Sequence, residues 1–165
     1  MQWFLSLYII INLLAAVICT TIAILAPQRT AQADWGFRLF VLMTALWCAA
    51  SGLFFLNHNL SDFWIWTGIQ VVPYAAIPVL WFYFILQFTG DRTPSPVFLF
   101  AIPFATLVVY WNPNWSSLMW SVTKIDWLFG ISIAHYERGF WFNFIHTPYS
   151  YALIVLADRS ENGVY

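Results

Sequence analysis

In WFYFILQFTGDRTPSP, residues 81–96, the first half carries no charge, and the second half collects Thr89, Gly90, Asp91, Arg92, Pro94 and Pro96. A helix of a water-soluble protein keeps one polar face. Residues 81–88 offer nothing more polar than Tyr83 and Gln87. The abrupt change reads as a chain leaving an apolar slab. Gly90, Asp91 and Arg92 form the exit turn, and prolines open the next helix, where a missing N–H costs little.

Composition extends this reading to the whole chain. Of its 165 residues, 62% are hydrophobic, 21% aromatic and only 8% charged. Mean hydropathy is +0.74. Too few polar residues remain to cover a soluble domain of this size. A formal charge of -1 supplies no basic field, so nucleic acid is not an expected partner. Cys19 and Cys48 both sit in apolar runs without a CxxC spacing, which points to packing rather than to a disulfide or zinc.

A spanning helix needs about 20 mostly apolar residues to cross a hydrocarbon core of about 30 Å. Five stretches approach that length: residues 3–26, 35–56, 65–88, 96–111 and 139–157. Lipid forces each to close its own backbone hydrogen bonds, so the predicted fold is all-α, an integral membrane bundle of about five transmembrane helices. The first run lacks the basic flank of a signal peptide and exceeds its usual apolar length, so it reads as a retained helix.

Arg29, Arg38, Arg92 and Arg159 fall on one side of the predicted membrane, and Lys124 and Arg138 on the other. The positive-inside rule then sets the N-terminus outside and the C-terminus in the cytoplasm, in the cytoplasmic membrane. The long outer loop, residues 112–138, is rich in tryptophan. Trp115, Leu118, Met119 and Val122 fall at i, i+3, i+4 and i+7, which predicts an amphipathic interfacial helix. After it, LFGISIAHYERGF alternates enough for a short hairpin or cap.

Polar residues inside the spans are costly and face a partner, a cavity or a pathway. Gln70 and Tyr74 are four apart on the third helix, Trp81 lies one heptad on, and Pro73 and Pro78 bracket Tyr74. On the fifth helix Asn143, His146, Thr147 and Ser150 share a side by the same spacing. Gln70, Tyr74, Trp81, Asn143 and His146 are therefore the candidate ligand-facing residues, for a pocket in the outer half of the membrane. The plainer alternative is helix-to-helix hydrogen bonding, worth about 0.6 kcal/mol per contact on average. Metal ligation by His146 would need a second histidine, and His58 and His135 fall in predicted outer loops. No hydrolase, phosphate-loop or paired-carboxylate motif lies in a span, so neither catalysis nor a cofactor is expected.

FILQFTGDRTPSP after the third helix, YWNPNWSSLMW after the fourth and GFWFNFIHTPYSYALIVL in the fifth resemble the N-terminal seven-helix sensor region of bacterial membrane histidine kinases. The matching positions are Phe88, Thr89 and Gly90, then Asn112 and Pro113, then Gly139, Phe140, Trp141, Tyr149, Ser150 and Tyr151. Trp115 or its neighbours stand where that family often has a histidine. The resemblance implies a membrane-embedded sensory module of a two-component system, not itself an enzyme, with a small-molecule or peptide ligand from outside and a homodimer. Five helices instead of seven, and the polar tail at residues 158–165, read as a truncated or frameshifted product without its kinase output. The competing classes are a transporter or channel fragment and a structural subunit of a membrane complex.

With Cys19 and Cys48 replaced, Arg92→Cys should react with a membrane-impermeant maleimide only after cells are opened, and Trp115→Cys in intact cells. Labelling of position 92 from outside would reverse the topology.

Overall fold

The computed structural model describes residues 2–25, 31–54, 60–90, 95–128 and 131–162. Arg29, His58, Asp91, Arg92, Pro94 and residues 163–165 lie outside the described residues, as do the side chains of Lys124 and Trp127. The helices are α1 (Gln2–Leu25), α2 (Ala31–Phe54), α3 (Leu60–Thr89), α4 (Pro96–Trp111) and α5 (Thr147–Asn162). Leu5–Leu25, Trp35–Phe54 and Trp64–Thr89 are long and apolar enough to cross a membrane, and α4 is a shorter apolar helix. The fold is a membrane helical bundle, as the apolar runs predict.

The bundle is organised around α3, which packs against α2, α4 and α5, while α1 packs on α2. Within their apolar spans, 44% of α3 is buried but only 11% of α1. Leu7, Ile10, Leu14, Val17 and Ile18 of α1 are correspondingly exposed, the pattern of a helix bathed in lipid. Two cores line α3. Val79, Phe82, Ile85 and Leu86 pack with Leu99 of α4 and with Leu153 and Ala157 of α5. Toward the other end Val71 meets Val109, Tyr110 and Met119.

Hydroxyls within the helices close locally. Thr20, Thr21 and Thr44 donate to the carbonyls of Ala16, Val17 and Phe40, and Asn12 donates its amide N–H to Tyr8 O. At the end of α3, Thr89 donates to Ile85 O over 3.0 Å, and Gly90 takes φ 76°. That left-handed conformation suits glycine and stops the helix, so Gly90 makes the start of the exit turn.

The segment after α4 differs from expectation. No amphipathic helix forms over Trp115, Leu118, Met119 and Val122. A short 3₁₀ turn (Ser116–Leu118) leads instead into an antiparallel hairpin of β1 (Trp120–Leu128) and β2 (Ile131–Arg138). Its register runs from Trp120 opposite Arg138 to Leu128 opposite Ile131, with a slip between Val122 and Lys124. The physical reason is local: Val122, Thr123 and Ile125 are β-branched, and ISIAHYER supplies a strand to pair with. A lone helix of that length is marginal. What survives of the apolar stripe is Met119, fully buried against α3 and α4.

The fifth helix also departs from regularity. Phe140 and Trp141 are helical, Phe142–His146 form a π-turn in which Thr147 N–H reaches back to Phe142 O, and α5 follows. Pro148 has no N–H for the carbonyl of Phe144, so the ordinary ladder fails beside the widened turn. The helix continues through the polar residues at 158–162 rather than ending at 157.

Gly139 joins hairpin to helix. Its N–H donates to Met119 O over 2.8 Å, and a Cβ there would strike the backbone carbonyl of Leu118. Backbone cannot swing aside as a side chain can. Gly139→Ala should therefore cost about 1–3 kcal/mol of stability, measured by reversible unfolding in mixed micelles. A wild-type unfolding curve would show the contact to be slack.

Candidate functional site

A cavity of about 240 Å³ opens between α2, α3 and α5. Its walls include Trp47 of α2, Tyr74, Ile77 and Pro78 of α3, and Ser150 and Ile154 of α5. A second cavity of about 90 Å³ shares Trp47 and Tyr74 and adds Thr67, Gln70 and Val71 of α3 and Trp120 at the start of β1. Tyr74 thus stands between the two, with Gln70 one turn away. The prolines that bracket it in sequence leave α3 helical, and Pro78 forms part of the larger wall.

Behind Tyr74 lies a buried polar cluster. His146 and Thr106 are 1% and 0% exposed, a burial that polar groups tolerate only when hydrogen-bonded. Trp141 Nε1–H donates to Thr106 Oγ1 over 3.0 Å, and Thr106 Oγ1 lies 2.8 Å from Ile102 O and 3.2 Å from His146 Nδ1. A hydroxyl has one proton and two acceptor lone pairs. With its proton on Ile102 O, Thr106 accepts from both Trp141 and His146. The proton of His146 therefore sits on Nδ1, and Nε2 is left as an acceptor. Ser150 Oγ, 3.5 Å from Nε2, is the hydroxyl placed to donate there.

The imidazole also contacts aromatic rings. Its centroid is 4.6 Å from that of Tyr74, and Tyr74 stacks on Phe142 at 5.8 Å. The Arg138 guanidinium lies 5.1 Å from the Phe142 centroid, and Trp120 lies 6.0 Å from the same ring. A continuous series of contacts thus joins the base of the hairpin to the cavity wall.

The residues singled out from sequence divide into two groups. Tyr74 lines both cavities, Gln70 lines the smaller, and His146 lines neither but packs against Tyr74. Trp81 does not line either of them; it packs on Phe40 and Phe84 at 5.4 and 5.9 Å. Asn143 is exposed, and its amide donates to Arg138 O over 3.0 Å, tying the helix start to β2. The π-turn is the reason: both Asn143 and His146 lie within it, and its wider turn breaks the spacing that put them on one side. The positions of the family pattern act at element ends. Asn112 Oδ1 accepts the N–H of Asn114, with Pro113 between them in the turn. Tyr149 donates its hydroxyl to Leu99 O, fastening α5 to α4, while Tyr151 is exposed at the larger cavity. Phe88 is exposed next to the exit turn.

Thr106, Trp47 and Trp120 are absent from the sequence-derived set, and Trp141 enters it only as a position of the family pattern. Thr106 carried a faint signal, as the one hydroxyl inside the fourth apolar run before Tyr110. The tryptophans carried none that separated them from interfacial anchors.

Thr106→Val keeps the shape but leaves Trp141 Nε1–H and His146 Nδ1–H without an acceptor. Each buried orphan costs about 1–3 kcal/mol, so unfolding in mixed micelles should show a loss of that order or larger. Thr106→Ser should recover most of it. Equal stability of Val and Ser variants would refute the assigned donor directions.

Residues 11–158 match the family model described as the N-terminal 7TM region of histidine kinase. No curated protein and no solved structure matches the chain. The match takes in most of α1 and α5 and all of α2, α3, α4 and the hairpin, and agrees with an apolar helical bundle. The chain belongs to the family of N-terminal seven-transmembrane regions of histidine kinases.

Proposed function

We propose that this chain senses a stimulus at the cavity between α2, α3 and α5 and passes it, as a displacement of α5, to a histidine-kinase output. The observation that carries this is the lining of the cavity: three helices contribute, and one of them continues from the π-turn toward the C-terminal end. A π-turn holds one residue more than an α-turn, so closing or moving it shifts the register of everything after it. An occupant touching Tyr74 and Ser150 presses on both sides of that turn, through His146 and directly on α5.

In this reading Gln70, Tyr74 and His146 face or support the ligand, and Trp81 and Asn143 serve packing and anchoring. The N-terminus is outside and α5 ends in the cytoplasm, in the cytoplasmic membrane. A second copy of the chain is the expected partner, through the kinase dimer. Coupling energies between sites are typically about 1–3 kcal/mol, or about 5- to 150-fold.

Linked to its kinase output in a reporter strain, Tyr74→Ala and Ile154→Ala, which remove walls of the cavity on α3 and α5, should each reduce the stimulus-dependent change by about 5-fold or more, with normal amounts in the membrane. Two variants that reach the membrane and respond as wild type does would exclude the cavity as the sensing site.

A further inference from the structure

The polar cluster constrains what the cavity accepts. Thr106 commits its proton to Ile102 O, His146 commits its Nδ1 proton to Thr106, and Ser150 is left to donate to His146 Nε2. A serine hydroxyl has a single proton. Ser150 therefore turns only acceptor lone pairs toward the cavity it lines. Hydrogen-bond direction is relayed from a backbone carbonyl of α4 to the ligand wall.

Depth and size set the rest. Tyr74 lies ten residues beyond Trp64, the start of the apolar span, about 15 Å along the axis at about 1.5 Å per residue. That is mid-membrane, where Trp47, Ile77, Pro78 and Ile154 supply apolar walls and Tyr74, Thr147 and Tyr151 bring hydroxyls beside that of Ser150. A dry cavity of about 150 Å³ holds benzene. One of about 240 Å³ has room for a ring and a short arm.

We propose that the cavity takes a small, mostly apolar, membrane-dissolved molecule with one hydrogen-bond donor, a hydroxyl above all, which donates to Ser150 Oγ. This rests on the cavity being the sensing site. An ether or ester of the same shape can accept from the hydroxyls of Tyr74, Thr147 or Tyr151 on the same wall but has no proton for Ser150 Oγ.

The test uses benzyl alcohol and benzyl methyl ether on the whole chain in lipid nanodiscs, with ¹⁵N-labelled tryptophan and histidine and with membrane-phase concentrations matched. The Trp47 indole and His146 resonances are identified by their loss in Trp47→Phe and His146→Gln. Both probes should shift Trp47 saturably, with the alcohol half-saturating at a concentration roughly three- to tenfold lower. The alcohol should also move His146 Nε2, and Ser150→Ala should bring the two probes together. Equal saturation in wild type, or a preference that persists in Ser150→Ala, would overturn the donor requirement while leaving the cavity a small-molecule site. If neither probe shifts Trp47 saturably, because another helix or a second copy fills the cavity, the sensing reading falls as well.

Discussion

Hydrocarbon offers no hydrogen bonds, and this single deficit arranges the rest of the molecule. Polar side chains within the apolar spans return to their own helix, as Thr20, Thr21, Thr44 and Asn12 do, or find a partner on another helix, as Thr106 does. The second course is taken most fully behind Tyr74, where Thr106, Trp141, His146 and Ser150 draw on two elements of the bundle. Such a cluster is costly if one member fails, because every donor there depends on one threonine oxygen or on the imidazole. It is also directional, since a hydroxyl or an imidazole that donates on one side must accept on the other.

The hairpin is part of the same construction. Met119 seals the core beneath it, Gly139 lets the backbone of the 3₁₀ turn sit against the start of the fifth helix, and Asn143 holds the end of β2. Trp120 reaches from the first residue of β1 to the wall of the smaller cavity, and Arg138 lies over Phe142 from the last residue of β2. Both ends of the hairpin thus meet Phe142, the ring stacked on Tyr74. Packed side chains of this kind have discrete arrangements rather than a continuum, which is what a switch requires.

Much of the bundle is legible in the sequence because apolar length is a one-dimensional property. Residues 96–111 coincide with α4, and the other apolar runs fall within a few residues of α1, α2 and α3. The stretch 112–138 misleads because its apolar spacing fits a helix while its β-branched residues favour a strand, and pairing between two such segments tips the balance. Gln70, Tyr74 and His146 are legible as polar residues with nowhere cheap to go. Asn143 is not, since a spacing of three or four assumes an unbroken α-helix and the π-turn intervenes. Trp81 is not either, because position on a face does not say which neighbour stands opposite.

By itself the sequence determined a membrane bundle, the approximate ends of its apolar helices and the family pattern at those ends. These follow from transfer free energies and turn chemistry, which each segment carries with it. Only the tertiary structure decided that Tyr74 separates two cavities, that Thr106 of α4 meets His146 across the bundle, and that Ser150, at the wall of the larger cavity, stands 3.5 Å from His146 Nε2. Hydrogen-bond direction belongs to a network, and Thr106 and His146, forty residues apart, enter one network only when their helices are packed together.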